Sequence, residues 1–361
     1  MGKAAIFQRG FNQAWVWSWP AFALVFLLGF IVFLAGAGSP YLQRTVTAML
    51  INVCIVVGFY LFVGNSGIFS FGHISFVAIG AYVSGLLTIA PDTKHILLPN
   101  LPAVMAGWEL STPAGIAVGG LAAAAMAAVL AVPLMRMSGI GASIATLGVL
   151  IIVIVVIGNL TSITGGLSGM LGLPLDTTMS SALLCACIAI AGAYIFQRSG
   201  SGLLLRASRE DVAAATSLGI NIWRERSIAF VLSAFLTGLG GGLFGHFVGA
   251  INPDAFYVGM TVTVSAMLII GGVRSLTGAV LGTILVSALT EILGNTALFH
   301  LPIPPGVSTV ALATLMLGIL IFRPQGITSG AELKWVDPRG LGAWLSSRLP
   351  AARVRPGESG R

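Results

Sequence analysis

The sequence predicts an all-α polytopic membrane protein, and three observations predict it. Hydrophobic residues make up 57% of the 361 positions and mean hydropathy is +0.99. Charged residues make up 8%, where a soluble domain carries about a quarter. The apolar residues also fall in long unbroken runs, which suits membrane helices and excludes a β-barrel, whose strands alternate apolar and polar positions. The 47 glycines and many alanines fit helices that pack backbone to backbone in lipid.

Ten stretches read as transmembrane helices: 19–38, 45–63, 72–90, 113–134, 139–158, 180–196, 228–249, 258–272, 276–293 and 306–322. Several are shorter than the roughly 20 residues that cross a bilayer, so tilted, broken or re-entrant segments are open readings. Trp15, Trp17 and Trp19 precede the first stretch as an interfacial aromatic belt. No cleavable signal peptide is apparent, because the first apolar run is long enough to span. Cys54, Cys185 and Cys187 lie inside apolar runs and read as core- or lipid-facing, without the spacing of a metal or redox site.

Charge orients the chain. With the N-terminus inside, all 18 basic residues except Arg44 and Lys94 fall on cytoplasmic segments, as the positive-inside rule requires. The expected organisation is a cytoplasmic segment 1–18, a transmembrane domain 19–322, and a Pro-, Gly- and Arg-containing tail 323–361 expected to be poorly ordered. The expected topology is N-in/C-in. Outer loops fall at 91–112, 159–179, 250–257 and 294–305. The basic residues are spread among loops with no soluble domain to present them, which excludes a nucleic-acid partner despite a pI near 9.8.

A polar island, 197–227, interrupts the apolar pattern between the sixth and seventh stretches, with five arginines and three carboxylates. Ser208-Arg209-Glu210-Asp211 has a capping-box spacing, which places Glu210 and Asp211 in a first helical turn. Gly219 sits where a glycine ends a helix. The expectation is one helix over 208–219, too short to span: either a solvated connector or a piece that fits a groove on a partner. No G-x-x-x-x-G-K-[ST] pattern occurs anywhere, so this chain supplies no ATPase of its own.

Glu210-x-x-Ala213-Ala214-x-x-x-x-Gly219 resembles the EAA loop of ATP-binding-cassette importer permeases. Residues 206–221 with 228–241, Gly58–Tyr82, and Met267–Gly282 resemble, in order and spacing, the branched-chain amino acid permease family over about 45–323. One departure lies after Arg136: family members often carry aromatic residues there, whereas this chain has Gly139-Ile-Gly141-Ala-Ser143-Ile-Ala-Thr146-Leu147. The resemblance implies half of a transport pathway in a bacterial inner membrane. It implies two cytoplasmic ATPase subunits that hold ATP and Mg, a second homologous permease, and a periplasmic substrate-binding protein; this chain itself binds no cofactor or metal. Ser208, Arg209, Glu210, Ala213, Ala214, Leu218, Gly219 and Asn221 are the expected ATPase-coupling residues. The cargo is branched-chain amino acids or a related small solute, with urea, amides and small carboxylates, aromatic ones included, as alternatives.

Polar side chains inside spans mark candidate pathway positions: Asn52, Asn65, Ser66, Ser70, His73, Ser75, Thr146, His246 and Glu291. The Gly-interrupted run 64–75 reads either as a broken helix lining a cavity or as a tight cytoplasmic turn. Two other classes are weighed. A stand-alone secondary transporter or channel has only Glu291, His73 and His246 for ion coupling. A membrane enzyme lacks any nucleophile–base or metal cluster.

Overall fold

The computed structural model describes residues 2–294, 307–323, 325–330 and 332. Residues 21–332 form one compact unit, in which every site below lies. The long helices are α1 (Gly2–Gly36), α2 (Pro40–Ser66), α3 (His73–Thr88), α6 (Thr112–Leu134), α7 (Gly139–Asn159), α9 (Met179–Arg198), α12 (Ile222–Val248), α13 (Val258–Gly271), α14 (Leu276–Gly294) and α15 (Val307–Phe322). Each predicted stretch thus coincides with a helix over most of its described length. Among the described residues, seven helices are long and apolar enough to cross a membrane. An eighth follows if α3 and the short α4 (Pro91–Leu97), bent by 116°, make one span. The protein is a multi-pass membrane protein; ten full spans are not established, because α14 and α15 offer shorter apolar lengths.

The hub is α2 and α12. Ser39 caps α2 by accepting from Leu42 N at 3.3 Å, with Pro40 at the first helical position, where its missing N–H costs nothing. From Val53 to Ser66 every residue of α2 is buried, the pattern of a helix covered on all sides. The surrounding helices bury one stripe each, and the stripes are small. On α6 they are Gly119, Gly120, Ala123, Ala127 and Ala131; on α9, Ala182, Ala186, Ala189 and Ala193.

Small residues let backbones touch, and three helices exploit this at one crossing. A Cβ on Gly80 of α3 would lie 2.1 Å from Gly238 O of α12. One on Gly241 would lie 2.0 Å from Val77 O, and one on Gly119 of α6 would lie 2.5 Å from Gly80 O. No side chain fits those gaps. α3 runs beside α12 in the same direction: the His73 ring lies 5.4 Å from that of Phe230 at one end, and Ser84 reaches His246 at the other.

Segments expected as loops carry short elements. They are α4 and α5 (Ala103–Ala106) in 91–112, α8 (Thr161–Thr164) and β1 (Met170–Leu171) in 159–179, and β2 (Ala250–Ile251) in 250–257. β1 and β2 pair antiparallel, Met170 opposite Ile251. Lys94 of α4 is buried and its Nζ donates to Trp108 O, fastening α4 to the chain before α6. Part of the predicted tail is likewise ordered. Ile327 N donates to Ile270 O at 3.0 Å and Thr328 N to Gly271 O at 3.2 Å, so residues 325–330 lie against the end of α13. Residues 333–361 of the predicted tail and 295–305 of the expected outer loop lie outside the described residues.

Candidate functional site

The polar island folds as two helices, not one. α10 (Gly200–Glu210) starts at Ser199, whose Oγ accepts from Gly202 N at 3.2 Å. α11 (Val212–Ser217) starts at Asp211, whose carboxylate accepts from Ala214 N at 3.0 Å. The predicted cap Ser208 lies inside α10, buried, with its hydroxyl donating back to Leu205 O at 2.7 Å. Glu210 ends the first helix instead of opening the second. The capping-box spacing misled because Asp211 has the same capping chemistry three residues later, and it is Asp211 that accepts from Ala214 N. The predicted stop holds: Gly219 has φ +78, its N–H bonds Thr216 O at 2.9 Å, and Ile220 N bonds Ala215 O at 3.1 Å. Those two bonds form a Schellman motif. Asn221 caps α12, accepting from Arg224 N at 3.2 Å.

The two helices divide the labour. α10 is anchored to the bundle: Arg209 donates to Gly64 O at the end of α2, and Arg206 to Gln197 O at 2.6 Å. Arg209 also pairs with Glu210 at 2.8 Å, and Arg274 approaches the same carboxylate at 4.0 Å. The Arg209 hydrogen bond first, then the nearby charges of Arg209 and Arg274, hold the Glu210 carboxyl below the usual glutamate range. α11 projects. Val212, Ala213, Ala214, Thr216 and Ser217 are exposed and only Ala215 is buried. Leu218 is 82% exposed, beside Val212 at 50% and Leu203 at 55%. α11 therefore presents apolar and small side chains outward from a polar element.

The candidate pathway residues separate into groups. Asn65, Ser66, Ser70, His73 and Ser75 are buried around the turn 67–72 that joins α2 to α3. Gly67, left-handed at φ +72, ends α2, and local bonds satisfy the hydroxyls: Ser75 to Gly72 O, Ser70 to His73 Nδ1 at 2.7 Å, and Ile68 N to Ser66 at 3.1 Å. Residues 67–72 thus form the turn between α2 and α3, and it lies at the α10 end beside Arg209. His73 sits among Phe59, Phe62, Phe76 and Phe230, with ring centroids 5.2–5.7 Å away. Its Nε2 has no hydrogen-bond partner among the described residues. Thr146 of α7 is buried against the same turn and accepts from Phe71 N at 3.2 Å.

The remaining candidates lie elsewhere. His246 has both ring nitrogens engaged, Nε2 with Ser84 Oγ at 2.8 Å and Nδ1 with Pro174 O at 3.0 Å, tying α12 to α3 at the end opposite α10. Glu291 accepts from Tyr41 OH near the start of α2. Asn52 is half-buried on α2. None of the nine candidate pathway residues lines a cavity of about 780 Å³ between α6 and α9 over α12. Leu184, Leu239 and Leu243 form its walls, and Glu109, Thr112 and Asp176 stand among its polar lining. Thr112 Oγ1 donates to Asp176 at 2.6 Å. The cavity has no motif to announce it, because its lining comes from several separated segments. Among the described residues no group of three or more His, Cys, Asp or Glu is placed to hold a metal ion.

The family model described as branched-chain amino acid transport system, permease component, matches residues 41–323. The chain belongs to this family. The match takes in α2 through α15, so the hub, the three-glycine crossing and the α10–α11 element are all parts of a permease component. Among curated relatives, this permease chain is 28% identical to the high-affinity branched-chain amino acid transport system permease protein LivM of Escherichia coli over 315 residues, 78% of this chain and 68% of that one. It is 32% identical to LivH of the same bacterium over 163 residues, 44% of this chain and 50% of that one. The BraD permease protein of Pseudomonas aeruginosa is 26% identical over 82% of this chain and 98% of its own length. No solved structure matches the chain significantly.

Proposed function

We propose that this chain is the membrane-spanning permease subunit of an ATP-binding-cassette importer, translocating branched-chain amino acids or a related small solute across a bacterial inner membrane. The observation that carries the reading is α11, a capped helix held out from an anchored α10 with Leu218 82% exposed. A short rigid helix with apolar and alanine surface fits a groove on another protein. The occupant is a cytoplasmic ATPase subunit, two per transporter, carrying ATP and Mg. The α10–α11 end then faces the cytoplasm, N-in and C-in, in agreement with the charge asymmetry. The kinship to both LivM and LivH supports pairing with a second homologous permease, and a periplasmic binding protein delivers solute at the opposite end. Transport is alternating access, a population shift biased by ATP and by the loaded receptor.

The test substitutes Gly219. Proline cannot adopt φ +78 and lacks the N–H that bonds Thr216 O, so Gly219→Pro abolishes ATP-dependent uptake while the protein still reaches the membrane. Unchanged uptake in that variant refutes the coupling assignment. Uptake that persists with no ATPase present supports the stand-alone transporter instead.

A further inference from the structure

The carboxylate of Glu332 lies beyond the family match, in the short ordered stretch after α15, and nothing above gives it a role. It accepts from Leu276 N at 2.8 Å and Thr277 N at 3.1 Å, the first two amides of α14, and from Thr277 Oγ1 at 2.8 Å and Ser275 Oγ at 3.3 Å. Amides at a helix start have no partner within the helix, and the helix dipole favours a negative charge there. Glu332 thus caps α14 from 56 residues away. Its fifth contact points elsewhere: Gln197 Nε2 at the end of α9 donates to it at 3.2 Å. Gln197 also accepts from Tyr60 OH of α2 at 3.4 Å, and its carbonyl receives Arg206 of α10.

Those contacts form a continuous polar chain from α10 through Gln197 to the first turn of α14. A second strand of it runs from Glu210 to Arg274, in the turn just before α14. The turn itself has no slack. A Cβ on Gly271 would lie 1.9 Å from Gly278 O, so α13 and α14 pack backbone to backbone there. Residues 325–330, bonded to Ile270 and Gly271, hold Glu332's own segment on that pair.

We propose that Glu332 is a positioning residue of the transport cycle, the link through which displacement of α10 reaches the α13–α14 hairpin. The proposal rests on the reading of α10–α11 as the motor-docking element. The link is multidentate and charge-assisted where it grips α14 and a single charge-assisted bond where it meets Gln197, and it joins elements that sequence alone places far apart.

The experiment uses the full transporter, with Glu332→Gln and Glu332→Asp, and has two readouts. Hydrogen exchange needs no ATPase: in Glu332→Gln the amides of Leu276 and Thr277 exchange roughly tenfold faster, as expected for loss of a charged acceptor, and exchange also rises across 206–210. A rise confined to 276–277 makes Glu332 a local cap and overturns the proposal. The second readout is solute moved per ATP hydrolysed. It falls roughly tenfold in Glu332→Gln, within the range of a single coupling interaction, with ATP hydrolysis retained, and Glu332→Asp restores part of it. A wild-type ratio in Glu332→Gln overturns the proposal. If wild-type uptake proves independent of ATP, the functional reading fails, while the exchange result still decides whether α10 and α14 are linked.

Discussion

Gly241, Gly80 and Gly119 carry the fold at single positions, because each faces backbone that cannot retreat. Gly241→Leu pushes α12 off α3 and is expected to cost about 1–3 kcal/mol or more by overpacking. Gly148→Leu on α7, where a Cβ meets nothing within 4 Å, is expected to leave stability unchanged. Thermal unfolding of the two purified variants in one detergent checks this. Glu210 gives a second residue-scale prediction. Its carboxyl is held below the ordinary value of 4.5 by Arg209 and then Arg274. A depressed carboxyl keeps its ion contacts through the neutral range and loses them only as pH falls through the folded value. The NMR titration midpoint of Glu210 therefore lies below 4.5 and moves up in Arg209→Ala.

At the scale of elements, α11 is the most exposed helix of the α10 end, and its six residues are too few to hold a helix by propensity. Its caps hold it. Asp211→Ala removes the acceptor for Ala214 N and costs about 1 kcal/mol of helix stability, read as faster exchange at the Ala214 amide, while α10 is unaffected. Reading such elements from sequence succeeds where the signal is local. The apolar runs located each long helix, though α1 starts 17 residues before its predicted stretch, and Gly219 gave a real helix end, since left-handed backbone favours glycine. It fails where two local signals compete, as Ser208 and Asp211 do, and where the partner is distant in sequence. The Ser70–His73 bond and Gly67 shape a turn over 67–72, yet the same Gly- and Ser-rich pattern also suits a broken helix. Glu332 and the lining of the large cavity had no local signal, because their meaning comes from contacts across 55 residues or more.

At the scale of the molecule, the account makes the bundle two-ended. The α10 end gathers Arg206, Arg209, Glu210, Arg274 and Glu332 around an exposed helix, while the opposite end carries the β1–β2 pair, His246 and Lys94 in its braces, and the large cavity. Among the described residues before α10, five helices are long and apolar enough to cross a membrane, and six if α3 and α4 make one span. The proposed orientation is the one that takes six, since an even number of crossings returns the chain to the side on which it began. The central claim is that α11 is where the motor docks. The most direct measurement places a photo-crosslinking residue at Leu218, 82% exposed, and in a second variant at Leu175, 71% exposed at the opposite end. The account predicts that position 218 cross-links to an ATP-binding subunit in the assembled transporter and that position 175 does not. A cross-link to that subunit from position 175, or none from 218 in a transporter that still moves solute with ATP, contradicts it.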